Sequence, residues 1–245
     1  MSFYICNVAV APIRKTPEQS SEMVTSLVYG EKFELLEVAN EYFAKIINQY
    51  DKYEGYVALN QISQIVDSYY HKKNAAFSSS IGVLTAEGNA ITLPIGCLLT
   101  EGEAMHFTGQ YISVENNIAT IDSIATIANS FLNTPYLWGG KTSFGIDCSG
   151  FVQTVFKMAN ITLLRDASQQ IKMGETVDFL EGGQCGDLAF FDNELGDITH
   201  VGILLNNNSI IHSSGRVKID NIDSAGIINK NRERTHKLRI IKRVL

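Results

Sequence analysis

Tyr136-Leu137-Trp138-Gly139-Gly140, followed by Gly145-Ile146-Asp147-Cys148-Ser149-Gly150-Phe151, is the stretch on which the reading of the fold turns. It holds the single Trp of the chain, a run of glycines and a cysteine. Phe151, Val152, Val155, Phe156 and Ala159 continue it at helical spacing and predict one buried helical face. Cys148 therefore falls at a helix N-terminus fed by a glycine-rich loop. The unpaired N–H groups and positive dipole end there favour a thiolate over an ordinary thiol of pKa ~8.5. Gly139, Gly140 and Gly145 would let backbone approach a substrate closely, and the Cys148 N–H could help hold an oxyanion. Taken alone, the segment also fits a buried helix-start cysteine beside a tight loop.

Residues further along favour chemistry. Gly186-Asp187-Leu188-Ala189-Phe190-Phe191 reads as a turn and a strand, with Asp187 shaping the turn. His200-Val201-Gly202-Ile203-Leu204-Leu205 and Ile210-Ile211-His212-Ser213-Ser214-Gly215 read as two strands around the turn Asn206-Asn207-Asn208. Such a hairpin makes His200 and His212 near neighbours across antiparallel strands. One imidazole beside a thiol serves as general base, and a second polar group fixes its ring.

Upstream the pattern changes. Ile124, Ile127, Ala128, Phe131 and Leu132 recur at helical spacing, with Asp122 or Ser123 available as the cap. The boundary is placed near 119. Residues 1–65 carry short strands separated by polar turns, among them 27–29, 33–38, 43–47 and 55–57, and predict a small β-barrel. Residues 66–118 predict a second β-unit of about equal length, with candidate strands at 81–84, 90–94, 97–99 and 111–114 and no strong repeat of the first. The expected division is 1–65, 66–118 and 119–245.

The 245 residues suffice for two to three small domains, and 45% hydrophobic with 19% charged is ordinary globular composition. No apolar run nears the ~18 residues of a membrane span. A net charge of −6 argues against nucleic acid or anionic lipid as partners. Cys6, Cys97, Cys148 and Cys185 form no C-x-x-C pair, so a zinc ribbon or redox pair is not expected. Cys6, Cys97 and Cys185 read as small buried hydrophobes. The first residues, Met1-Ser2-Phe3-Tyr4-Ile5-Cys6-Asn7, lack secretory-signal features. The expectation is a cytoplasmic location if Met1 is the native start, and a periplasmic or envelope location if a signal was trimmed.

Together, Tyr136 to Gly140, Asp147 to Phe151, Gly186-Asp187-Leu188, His200-Val201-Gly202 and His212 resemble the NlpC/p60-type cysteine peptidases over about 120–215. The resemblance implies an α+β, papain-like catalytic domain with Cys148 as nucleophile, His200 as base and His212 as the orienting third residue. It implies no metal or cofactor. Tyr29-Gly30-Glu31, the Phe33–Val38 strand and Tyr53-Glu54-Gly55-Tyr56-Val57 resemble bacterial SH3-like barrels, two of which would precede the catalytic domain; Trp is commoner than Tyr at position 56. Chains of this layout are similar to γ-D-glutamyl-L-diamino acid endopeptidases, which cut murein-derived tri- and tetrapeptides bearing a free N-terminal L-Ala. In them the first barrel closes one end of the groove. On that resemblance Asp147 and Ser149 contact substrate beside the nucleophile, Tyr136 and Trp138 line the groove, and Asp166 and Ser168 add contacts. Arg165-Asp166 reads equally as a salt-bridged loop. A free ammonium needs an acidic or aromatic partner, for which Glu22 with Tyr53 or Tyr56 is nominated. A murein-peptide binding module, an NlpC-like amidase or acyltransferase, and a redox-sensing Cys148 stay open as other readings; oligomeric state and the diamino acid stay open too.

Overall fold

The computed structural model describes residues 2–72, 74–77, 81–84, 90–100, 107–108, 111–112 and 121–244. The chain divides into two compact units, Met1–Asn117 with Trp138–Ser143, and Ile118–Leu137 with Phe144–Leu245. Among the described residues no helix is long and apolar enough to cross a membrane.

The first unit opens with seven strands: β1 (Ser2–Cys6), β2 (Val10–Arg14), β3 (Met23–Val28), β4 (Lys32–Val38), β5 (Phe43–Asn48), β6 (Glu54–Ala58) and β7 (Ile62–Ile65). They pair antiparallel in the order β3-β2-β6-β5-β4-β1-β7. The expected strands at 27–29, 33–38, 43–47 and 55–57 correspond to β3 through β6. β1, which no sequence signal singles out, joins the start of this region to its end, with Phe3 opposite Ile65. Side chains of alternating strand positions meet in a core of Cys6, Ala11, Ile13, Leu27, Phe33, Ile46, Val57 and Ile62. Cys6 is fully enclosed there, and burial pushes its thiol up to about 12. Cys97 is likewise buried, whereas Cys185 is only half-buried, against expectation.

A short helix α1 (Asp67–Tyr70) follows, then β8 (Asn74–Phe77), β9 (Ile81–Leu84), β10 (Ala90–Leu93), β11 (Leu98–Thr100), β12 (Phe107–Thr108) and β13 (Tyr111–Ile112). Among the described residues these make two three-stranded antiparallel sheets, β10-β9-β12 and β11-β8-β13. The expected strands at 81–84, 90–94 and 97–99 match β9, β10 and β11. Residues 113–114 of the fourth, and the boundary near 119, lie outside the described residues. β14 (Lys141–Thr142) belongs to this unit, and Lys141 Nζ stands 3.1 Å from both carboxylate oxygens of Glu31 in a fully buried pair.

The second unit contains α2 (Ile121–Ser130), β15 (Gly145–Ile146), α3 (Cys148–Met158) and α4 (Ala167–Gln170), followed by strands. Asp122 and Ser123 lie inside the first turn of α2. Ile124, Ala128 and Phe131 are buried as the spacing predicts, but Leu132 falls past the helix and is exposed. Every residue of α3 is buried, not one face alone. The reason is its company: α2, α4 and two strands, β18 (Ile198–Asn206) and β19 (Ser209–Ser214), pack around it.

The remaining strands are β16 (Glu175–Val177), β17 (Leu188–Asp192), β20 (Arg216–Asp223), β21 (Gly226–Ile228) and β22 (Arg234–Arg243). Their order is β16-β22-β17-β18-β19-β20-β21, and β21 pairs back onto β22. Six strands, β17 to β22, therefore close into a barrel. β21 takes one edge of β22 at 234–237, and β16 pairs with β22 beyond it, at 241–243. Closure removes the exposed strand edges that would otherwise invite other chains. Leu180, Ala189, Phe191, Leu204, Ile210, Ile222, Ile227 and Ile241 pack together as its core.

Candidate active site

The site is assembled at the start of α3. Asp147 caps the helix, its Oδ1 accepting the Gly150 amide at 2.7 Å. The same carboxylate takes a two-pronged ion pair from Arg165, whose Nη1 stands 3.0 Å from Oδ1 and whose Nη2 meets Oδ2. Arg165 Nη1 also donates to Ser149 Oγ at 2.9 Å. Arg165 and Asp147 are 1% and 6% exposed, so each is held in the fold by the other. Arg165 thus joins the helix cap and the residue after the nucleophile in one buried cluster.

The loop before the helix is pinned to the barrel. Tyr136 N donates to Gly215 O at 3.0 Å, and Ser213 Oγ donates to Ile146 O at 2.8 Å. The second bond ties the residue two before Cys148 to the residue after His212. Gly139 and Gly145 of this loop serve chain packing. A side chain at Gly139, where φ is +76°, would meet Met23 O at 2.7 Å, and one at Gly145 would meet Leu137 at 2.7 Å.

Cys148 is 6% exposed, and the backbone amides of Val201 and Ser149 favour its thiolate. Val201 follows His200, so the thiol lies against the histidine-bearing strand. Burial pushes the thiol up to about 11, with Asp147 adding to the rise. The two amides and Arg165 oppose that rise without reversing it, contrary to the expected thiolate.

His200 on β18 and His212 on β19 meet diagonally across the hairpin, His200 Nε2 standing 2.8 Å from His212 Nδ1. His212 Nε2 stands 3.1 Å from Asp220 Oδ2, and His212 is fully buried. Burial holds His200 well below the ordinary imidazole range, with His212, His236 and Lys218 adding to the fall. Burial lowers His212 also, while Asp220 opposes. His236 on β22 stacks on the His200 ring at 4.2 Å, and Phe191 flanks it at 5.6 Å.

Tyr136 is half-buried; burial, then Cys148 and Asp147, push its hydroxyl up to about 12. Asp166 stands before α4 with its amide donating to Gln169 Oε1 at 3.0 Å, and Ser168 is exposed on α4. In the first unit, Trp138 is 58% exposed and its Nε1 donates to Glu22 Oε1 at 3.0 Å. Arg14 pairs with both Met23 and Tyr56, so β2 lies between Tyr56 and the start of β3 that follows Glu22; Tyr53 immediately precedes β6. Among the described residues no three or more His, Cys, Asp or Glu side chains are disposed to hold a metal ion.

Sequence reasoning missed Asp220, His236 and the partner of Arg165. Asp220 had a usable signal. A turn at Gly215 sets His212 opposite Lys218, and an acid two residues beyond Lys218 on the same face reaches the imidazole diagonally.

Residues 133–235 match the NlpC/P60 family, and residues 13–62 match the bacterial dipeptidyl-peptidase Sh3 domain. A γ-D-glutamyl-L-lysine dipeptidyl-peptidase of Bacillus subtilis (strain 168) is 38% identical over 114 residues, 46% of this chain and 38% of that one. The match therefore spans less than two fifths of that relative's length. A probable endopeptidase NlpC of Escherichia coli (strain K12) is 38% identical over 119 residues, 43% of this chain and 77% of that one. A crystal structure of an NlpC/P60 family protein from Bacillus cereus ATCC 10987 covers 100% of both chains with a TM-score of 0.83 at 19% identity, a likeness of fold. With a relative matched over three quarters of its length and the fold shared end to end, the chain belongs to the NlpC/P60 peptidase family.

Proposed function

We propose that the chain is a cysteine peptidase that hydrolyses the γ-D-glutamyl–L-diamino acid bond of short murein peptides with a free N-terminal L-Ala. One observation carries it: the Cys148 thiol, at the start of a buried helix, lies against the strand whose His200 is held by His212. In this reading 119–245 is a papain-like α+β catalytic domain, and 1–65 and 66–118 are two SH3-like barrels. Glu22, with Tyr53 or Tyr56, receives the substrate ammonium, Tyr136 and Trp138 line the groove, and Asp147, Ser149, Asp166 and Ser168 border the substrate.

The resting pair is neutral. A thiol at about 11 is ionised to about one part in 10⁴ at pH 7, and His200 lies below its ordinary range. Proton transfer therefore accompanies attack. The Cys148 sulfur bonds to the γ-glutamyl carbonyl carbon while its proton passes to His200, and the Cys148 N–H at the helix start holds the oxyanion. The C–N bond then breaks, His200 protonates the departing amine, and a thioester remains. Water attacks the thioester, giving its proton to His200; the C–S bond breaks and the thiol is restored.

The test uses L-Ala-γ-D-Glu-diaminopimelate with mass spectrometry of the products. The expected result is L-Ala-D-Glu plus diaminopimelate, lost in Cys148→Ala. Full hydrolysis by that variant would overturn the assignment. Binding without turnover by the intact chain points to a binding module, and transfer to an added amine points to an acyltransferase.

A further inference from the structure

The histidine pair does not end at His212. Asp220, a buried residue of β20, places Oδ2 3.1 Å from His212 Nε2 and 3.0 Å from Lys218 Nζ. A carboxylate accepts hydrogen bonds and cannot donate them. His212 must then carry its proton on Nε2, which leaves Nδ1 as a lone pair. That lone pair faces His200 Nε2 at 2.8 Å, so His200 must carry its own proton on Nε2. Its Nδ1 is left as the free base. We propose that Asp220 is a positioning residue that, through His212, sets the tautomer in which His200 presents a basic Nδ1 to Cys148.

The inference rests on the reading of Cys148 and His200 as nucleophile and base. The groups packed around the relay do not supply an alternative acceptor for His212. Lys218 offers only donors. His236 lies with its ring centre 5.7 Å from that of His212, and its Nδ1 is engaged with Thr235 Oγ1 at 2.9 Å. Without the carboxylate, an amide N–H at position 220 could donate to His212 Nε2. The chain of protons would then reverse, and His200 would present an N–H to the thiol instead of a lone pair.

The experiment is ¹⁵N-histidine NMR of the full chain, with the five histidines assigned by single substitutions, beside steady-state kinetics of Asp220→Asn and Asp220→Glu. The expected wild-type spectrum has His200 and His212 both protonated on Nε2. Asp220→Asn is expected to shift His212 toward the Nδ1-protonated form and to lower kcat about 10²-fold, with KM within threefold. Asp220→Glu is expected to keep the wild-type tautomers and recover most of kcat. A wild-type His212 protonated on Nδ1 overturns the proposal, as does an Asp220→Asn chain with unchanged kcat and tautomers. If Asp220→Asn does not fold, the wild-type spectrum decides alone. Failure of the underlying reading is seen separately, as peptide cleavage surviving Cys148→Ala.

Discussion

A methyl group at Gly202 would lie 2.9 Å from the Cβ of His212 and 2.7 Å from Cδ1 of Ile210. The space that lets His212 reach diagonally to His200 is thus the missing side chain of the residue two along from His200. Gly202 lies outside the left-handed region, so the constraint is steric and not one of backbone conformation. Gly202→Ala is expected to displace His212, lower kcat at least tenfold, and cost about 1–3 kcal/mol by overpacking. Turnover and thermal unfolding measured on the same sample check this, and unchanged values of both would refute it.

Arg165 and Asp147 predict a non-additive mutant cycle. Arg165→Met leaves a buried carboxylate without its counter-charge and is expected to destabilise by about 3–5 kcal/mol. Asp147→Asn retains an oxygen for the Gly150 amide but strands the guanidinium, with a similar loss. The double variant removes both charges and should be more stable than Arg165→Met alone. Denaturant unfolding of the three variants measures the coupling, and simple additivity would show that the pair does not act as a unit.

Cys148 at a helix start and His200 and His212 on one hairpin are legible in sequence because each depends on local spacing: a helical period after a glycine loop, and two strands around Asn206–Asn208. Asp220 is legible only once the turn at Gly215 is taken as a second hairpin, since its burial depends on which way the strand faces. The Arg165–Asp147 pair joins positions whose meeting depends on how the loop before α4 folds back on α3, and no spacing encodes that. The thiol illustrates a competition of magnitudes. The helix start and two amides favour the thiolate, but enclosing the sulfur among α3 and β18 costs more, and burial wins. Gly139 and Gly145 carry the reverse lesson, for a glycine-rich loop beside a nucleophile suggests room for substrate, whereas these positions are filled by Met23 and Leu137.

The depressed imidazoles set the pH response. His200, His212 and His236 all lie below the ordinary value of 6.5, His236 at about 4. The unfolded chain therefore binds protons that the folded chain refuses. The stability of the neutral forms is fully present above pH 6.5 and is lost as pH falls from there toward the lower folded values. The thermal midpoint is expected to drop between pH 7 and pH 5, and His236→Phe, which keeps a ring against His200, should lessen the drop. On the proposed mechanism the acid limb of kcat/KM has its midpoint below 6.5, and the thiol, at about 11, adds no ionisation up to pH 9. A midpoint above 6.5 would contradict the neutral pair.

Glu22 bears on the proposed selectivity for a free amine. Its Oε1 accepts the Trp138 indole N–H at 3.0 Å, and its Oε2 meets Lys15 Nζ at 3.3 Å, both at the exposed rim of the first unit. The indole bond orients the carboxylate, while the lysine is a solvated partner that a substrate ammonium can displace. Glu22→Gln keeps an acceptor for the indole and removes only the charge. On the proposed function it raises KM for L-Ala-γ-D-Glu-diaminopimelate about tenfold with kcat within twofold, because the lost contact lies far along the peptide from the bond that breaks. The N-acetylated peptide, which carries no ammonium, should be cleaved poorly and equally by both forms. Steady-state kinetics on the two peptides gives the comparison. Equal cleavage of free and acetylated peptides by the unmodified chain would remove Glu22 from recognition and leave its bond to Trp138 a structural one.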